Sequence, residues 1–217
     1  KSSINTLIEM SDFIFRINIK MELLKELERN IVYLNYLKDN GSIDLNKYDE
    51  FYSQIKNHVE ALNNNYSNPS KSISDNDFLM QIKSKRHIPA GNNFFVMPSY
   101  LNFLSSNKTL IIDNINNWYS PFSTIFLSSI LILDIKRTIS KFRYISITDS
   151  FFETKIDKST KIDLIRIKLE SNANIYPNIS VSSQNINIIF KTSYGKNRLS
   201  KVIDENLDFG LSMSGSK

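Results

Sequence analysis

The hydrophobic periodicity of this chain changes once, near Tyr144, and that change restricts the possible folds more than any other feature. Ahead of it, apolar residues recur at helical spacing; beyond it, they alternate. Over residues 21–38, Leu23, Leu24, Leu27, Ile31 and Leu34 share one helical stripe, and Glu22, Lys25, Glu26, Glu28 and Arg29 take the other faces. Glu22/Lys25 and Glu26/Arg29 sit three apart, the spacing at which side chains pair along a helix. Asn40-Gly41 then supplies a left-handed stop. A second helix is expected from Asp44, with Leu45, Tyr48, Phe51, Tyr52, Ile55, Val59 and Leu62 on its buried stripe. Residues 63–72 are polar, hold Pro69 and read as a loop. Ser74 and Asp77 form a weak capping box before Phe78, Leu79 and Ile82, and Pro89-Ala90-Gly91 turns the chain.

Residues 94–97 read as a short strand closed by Pro98. One long or kinked helix is expected over residues 113–143, with Pro121 marking the kink or a fresh start. Its apolar run from Phe122 to Ile135 is about 14 residues long and interrupted by serines. A membrane span needs about 20, so the run reads as a core helix. Residues 144–148, 161–170, 185–190 and 207–211 alternate and are rich in β-branched side chains, the mark of half-buried antiparallel strands. The expected fold is therefore α+β: a mainly helical part over residues 1–143, packed with a C-terminal antiparallel β-sheet over 144–217. No signal peptide is visible. The chain opens at Lys1 without a methionine and reads as lacking its original N-terminus.

Most catalytic signatures are missing. With five glycines and no G-x-G-x-x-G or G-x-x-x-x-G-K spacing, nothing in the sequence forms a loop able to cradle phosphate. No cysteine is present, which rules out disulfides and thiolate chemistry and fits a reducing compartment. The histidines, His58 and His87, lack the spacing of metal ligands, and His58 reads as a helix-surface residue. No serine sits in a G-x-S-x-G elbow. These observations give no cofactor, no metal site and no catalytic residue, and the chain reads as a binding protein rather than an enzyme.

Charge is the remaining signal. The formal net charge is +5, which favours acidic partners without choosing among them. Lys83, Lys85, Arg86 and His87 crowd one expected helix end, and Lys136, Arg137, Lys141 and Arg143 crowd another. Cations at a helix C-terminus complement its dipole, worth about 0.3–1 kcal/mol each. They also form a surface that an acidic segment can meet.

Several ordered segments resemble the ZapD family of Z-ring-associated division proteins. Met21-Glu22-Leu23-Leu24-Lys25-Glu26-Leu27-Glu28-Arg29 is similar to that family's T-E-L-L-K-E-L-D/E-R helix. Ile88-Pro89-Ala90-Gly91, followed by Phe95, Met97 and Pro98, resembles its I-P-G-G turn and F-x-L-P. Leu133-Asp134-x-x-Arg137 with Phe142-Arg143, Ile175-Tyr176-Pro177-x-Ile179-Ser180 and Leu207-Asp208-Phe209 follow in order. The resemblance implies a homodimer, joined through its helical part, at the cytoplasmic midcell division site. There it would bind the acidic C-terminal peptide of FtsZ and bundle FtsZ filaments. It implies no membrane span, and it disfavours the alternatives, a basic nucleic-acid-binding module and an unrecognised enzyme.

Basic residues coincide with family basic positions at Lys20, Lys83, Lys85, Arg137, Arg143 and Arg166. The expected partner-binding set is Lys83, Lys85, Arg86, Arg137, Arg143 and Arg166. Where family members carry arginine, this chain has Asn185 and Ile189, so part of the acid-binding surface is expected to be absent or rebuilt, with Lys191 and Lys196 as replacements.

Overall fold

The computed structural model describes residues 2–64, 66–85, 97–157, 161–170, 175–193, 200–202 and 206–216. The chain divides into two compact units, Lys1–Ile132 and Leu133–Lys217. The fold is α+β, with helices first and two small antiparallel sheets last.

In the first unit, α1 (Ser2–Arg16) precedes α2 (Ile19–Asp39) and α3 (Leu45–Asn64). The Glu22/Lys25 and Glu26/Arg29 pairs form as the spacing predicts, at 2.9 and 3.2 Å. Gly41 takes φ 63°. Its N–H donates to Lys38 O, and the Ser42 N–H donates to Leu37 O. This doubly bonded C-terminal turn needs a left-handed residue, and glycine adopts it without a Cβ clash. Asp44 caps α3 by accepting from the Asn46 and Lys47 N–H groups.

Prolines open α-helices at two places. Of residues 63–72, expected to be a loop, residues 66–68 carry no helix or strand, while residues 69–72 instead belong to α4 (Pro69–Ser74). Proline at the first helical position gives up an N–H that has no intrahelical partner anyway, and Asn68 accepts from Ser70 N and Lys71 N. Pro98 likewise opens α6 (Pro98–Ser105). The expected strand at 94–97 and the turn at Pro89-Ala90-Gly91 fall outside the described residues, except Met97. α5 (Asp77–Lys85) is capped by Asn76, whose Oδ1 accepts from Leu79 N. Ser74, expected to cap it, instead ends α4 and donates to Lys71 O.

The long or kinked helix expected over 113–143 is interrupted at Pro121, the site of the expected kink or fresh start, and its bounds are corrected at both ends. It consists of α7 (Lys108–Tyr119), a 3-10 turn at Ser120–Phe122 that contains Pro121, and α8 (Ser123–Ile139). α8 ends at Ile139; beyond it the Ser140 N–H and hydroxyl both donate to Lys136 O, at 3.3 and 2.6 Å. Arg143, expected in a helix, opens a strand.

The first unit's core is made by the predicted stripes together with α1. Leu7, Ile8, Leu27, Leu34, Ile55, Leu62, Leu79 and Phe122 are fully buried, and each contributes about 1.5–3 kcal/mol of burial. Leu45, placed on the α3 stripe by its spacing, is exposed because it sits in the helix's first turn. Phe78, Phe103 and Trp118 cluster within 5.2–5.7 Å, with Tyr100 stacked on Phe78. These rings are packed against one another. His58 is corrected too: it is half-buried, and its Nδ1 lies 3.0 Å from the hydroxyl of fully buried Ser128.

The second unit starts with the last turns of α8. Its strands are β1 (Arg143–Ile147), β2 (Phe151–Lys155), β3 (Lys161–Lys168), β4 (Ile175–Val181), β5 (Asn185–Ser193), β6 (Ser200–Val202) and β7 (Leu207–Ser216). They form two sheets rather than the one expected. β7 lies between β1 and β3, and β5 lies between β2 and β4 with β6 also on it. The central strands supply the core: Ile186, Ile188 and Phe190 from β5 meet Phe209 and Leu211 from β7. The Phe190 and Phe209 rings are 4.8 Å apart. Pro177 sits in β4, which among the described residues pairs with β5 on one side, and a missing donor costs no ladder bond on the other.

Candidate functional site

The helix-to-strand corner between α8 and β1 gathers Lys136, Arg137, Lys141 and Arg143, with Arg166 of β3 against the helix end. Its geometry begins with a bulge in β3. The register against β7 shifts between Ile162 and Leu164, which leaves Asp163 as the extra residue. A bulge re-aims the side chain it displaces, and here the Asp163 carboxylate accepts from Lys136 Nζ at 2.7 Å. The two side chains are only 11% and 16% exposed, so this pair is far better shielded from water than an ordinary surface pair. Lys136 therefore ties α8 to β3.

Three residues further along β3, Arg166 reaches the end of the helix. Its Nη2 donates to Arg137 O at 2.9 Å, to Ser140 Oγ at 3.1 Å and to Ser212 Oγ at 2.9 Å, and also to Ser140 O. The guanidinium lies over the Phe142 ring, 4.7 Å from its centroid. Ser212 adds its own hydroxyl to Ser140 O at 3.2 Å. The last carbonyls of a helix have no intrahelical donor. Here a strand supplies donors, and with them a positive charge, at the negative end of the helix dipole.

Around this clamp, Arg137, Lys141 and Arg143 are exposed. Arg137 has a neighbour in Asp134, 3.7 Å away and equally exposed, and such a pair contributes little in water. Arg143 starts β1 opposite Leu211. Thus Arg137, Arg143 and Arg166 of the expected set belong to the second unit, with Arg166 facing the helix end.

The remaining expected residues lie elsewhere. Lys83, in α5, pairs with Asp12 of α1. It lines a cavity of about 370 Å³ in the first unit together with Phe15, Lys71, Ile73 and Met80. Lys85 is half-buried at the end of the same helix. Arg86 and Lys196 fall outside the described residues. At the two positions where family members carry arginine, Asn185 donates to Glu153 at 2.8 Å, and Ile189 is half-buried beside Phe151 and Asn178 in the register. No helix among the described residues is long and apolar enough to cross a membrane. No group of three or more metal-ligating side chains occurs among them.

A family model described as "ZapD: Cell division protein" matches residues 1–189. The chain belongs to the ZapD family. Similar proteins include the cell division protein ZapD of Coxiella burnetii (strain RSA 331 / Henzerling II), 25% identical over 206 residues. That match covers 94% of this chain and 80% of the relative. ZapD of Chromobacterium violaceum is 22% identical over 97% of this chain and 83% of its own length. ZapD of a Janthinobacterium species (strain Marseille) is 24% identical, over 96% and 82%. The ZapD family gives this chain a role in cell division.

Sequence reasoning placed Arg166 among the partner contacts because it is basic at a family basic position. Its engagement with the helix end had no sequence signal, because its acceptors lie 26 to 46 residues away along the chain.

Proposed function

We propose that this chain binds the acidic C-terminal tail of FtsZ at its α8–β1 corner and, as a homodimer at midcell in the cytoplasm, cross-links FtsZ filaments. The observation that carries this reading is the set of exposed cations Arg137, Lys141 and Arg143, held around a rigid corner in a member of the ZapD family. Like charges placed together attract an acidic segment and raise its encounter rate. Lys83 and Lys85 belong to the first unit and are proposed as secondary contacts.

Dimerisation supplies bivalency. A two-fold dimer carries two equal sites, so each can hold a different filament, and avidity along a polymer multiplies a modest single-site affinity. The surface proposed for the second copy is the exposed face of α8, where Phe126, Leu127 and Ile130 are 44%, 57% and 53% exposed. The helix from Ser123 to Leu133 carries no charged residue. A two-fold interface sets a patch against itself, and an uncharged apolar patch does so without like-charge repulsion.

The test is co-sedimentation with polymerised FtsZ, with and without its C-terminal tail. Bundling with the tail and none without it is expected. Equal pelleting in both cases would place the contact on the body of FtsZ and overturn the reading. Binding to DNA of equal strength, weakening linearly in log salt, would favour the nucleic-acid alternative.

A further inference from the structure

Arg166 is engaged on several sides in the second unit. One of its nitrogens serves four acceptors on three segments: Arg137 O in α8, Ser140 O and Oγ at the helix end, and Ser212 Oγ in β7. Its Nε is buried without a hydrogen-bond partner, and its guanidinium carbon lies over the Phe142 ring. Phe142 and Tyr144 in turn close over Gly210, where an added Cβ would lie 3.2 Å from Phe142 Cδ1 and 3.3 Å from Lys168 Cβ. The corner is therefore filled from both sides. A partner's carboxylate would have to compete with four internal acceptors for the same Nη2.

Lysine could not reproduce this arrangement. A guanidinium is a planar fork that stacks on an aromatic face while donating sideways, whereas an ammonium is a compact point charge on a flexible stem. The acceptors here are carbonyls and hydroxyls, not carboxylates, so the demand is for geometry more than for charge.

We infer that Arg166 is a positioning residue for the acidic-peptide site: it locks the α8–β1 corner so that Arg137, Lys141 and Arg143 are held in fixed relation, and it does not itself contact the peptide. This rests on the function proposed above and adds which cation arranges the site and which cations touch the ligand. The carbonyl of Arg137 is one of the clamp's acceptors, Lys141 lies between Ser140 and Phe142, and Phe142 immediately precedes Arg143, so all three proposed contacts are tied to Arg166 through the backbone. Loosening the clamp leaves the charges in place and removes their arrangement.

The experiment measures binding of a synthetic FtsZ C-terminal peptide to the full chain and to R166K, R166M and R137E. Fluorescence anisotropy is read across a salt series, at a temperature where circular dichroism shows every variant folded. Binding by the wild type and its loss in R137E establish the site itself; if the wild type does not bind, the functional reading fails, separately from the role of Arg166. For a positioning residue, R166K and R166M both weaken binding by at least tenfold, and the slope of log affinity against log salt stays at the wild-type value.

If Arg166 contacts the peptide, R166M loses an ionic contact and its salt slope becomes shallower than that of the wild type, while R166K, which keeps the charge but not the planar fork, holds the wild-type slope whatever affinity it loses. That result would overturn the inference. Wild-type affinity in both variants would overturn it as well, by showing that the clamp stabilises the unit without shaping the site. Hydrogen exchange gives a second readout: amides of residues 137–143 exchange faster in R166M than in R137E if the corner has been released.

Discussion

Arg137, Arg143 and Arg166 carry the same charge in three different settings. Arg137 is exposed near Asp134, Arg143 is exposed at a strand start, and Arg166 is enclosed by helix-end acceptors. Reversing the two exposed charges should leave the fold intact, because neither side chain is part of a core. R137E combined with R143E is expected to weaken FtsZ-tail binding by at least tenfold with an unchanged far-UV circular dichroism spectrum. Wild-type affinity in that double variant would remove both positions from the site. His58 gives a prediction of a different kind. Desolvation by burial lowers its pKa below the ordinary 6.5. The unfolded chain therefore takes up a proton more readily than the folded one as pH falls through about 6.5, and stability is lost on acidification. Above that range the group is neutral in both states and contributes nothing to the pH dependence. The drop in urea midpoint between pH 7.5 and pH 5.5 should be smaller in His58→Gln than in the wild type. An equal drop would place the acid sensitivity on other groups.

At the scale of elements, the clearest sequence patterns led to the correct structure for identifiable reasons. The 21–38 stripe became α2 because Leu23, Leu24, Leu27 and Leu34 all reach the core and Gly41 ends the helix as its left-handed backbone requires. The alternating stretches became β1, β3, β5 and β7 because each has one face on the Phe190–Phe209 core. Helices that begin at proline were misread, since Pro69 and Pro98 signal a break unless the preceding cap or turn is weighed with them. α1, within the stretch expected to be mainly helical but not distinguished there as a separate helix, buries Ile4, Leu7 and Ile8. Of the site, the cationic cluster could be read from the sequence. Its internal wiring could not, because Lys136–Asp163 depends on a β-bulge and Arg166 on contacts between distant segments. Two substitutions test the element assignments. Leu27→Ala, at a position with no exposure, should cost about 2–5 kcal/mol of unfolding free energy. Gly41→Ala should cost about 1–2 kcal/mol, because its φ of 63° disfavours any Cβ although nothing lies within 4 Å of the added atom. A loss near zero at Gly41 would mean that the α2 stop tolerates a different turn.

For the whole molecule, the proposed function separates into two properties that can be varied independently: gripping a tail and gripping two tails at once. The cations of the α8–β1 corner serve the first, and association of two copies serves the second. Leu127→Asp with Ile130→Asp puts two charges on a face that is exposed in the monomer, so the subunit should fold as before. Set against its own copy, the same face would bring four carboxylates together in an apolar contact, a desolvation and repulsion cost that a dimer of this kind could not absorb. Sedimentation equilibrium should then give the mass of one subunit, peptide affinity should remain at the wild-type value, and bundling of FtsZ filaments should disappear. Those three results together would assign cross-linking to bivalency. A variant that is monomeric and still bundles filaments would require a second FtsZ-binding surface within one subunit. A variant that remains dimeric would move the contact between copies away from this face of α8 while leaving the tail-binding corner unaffected.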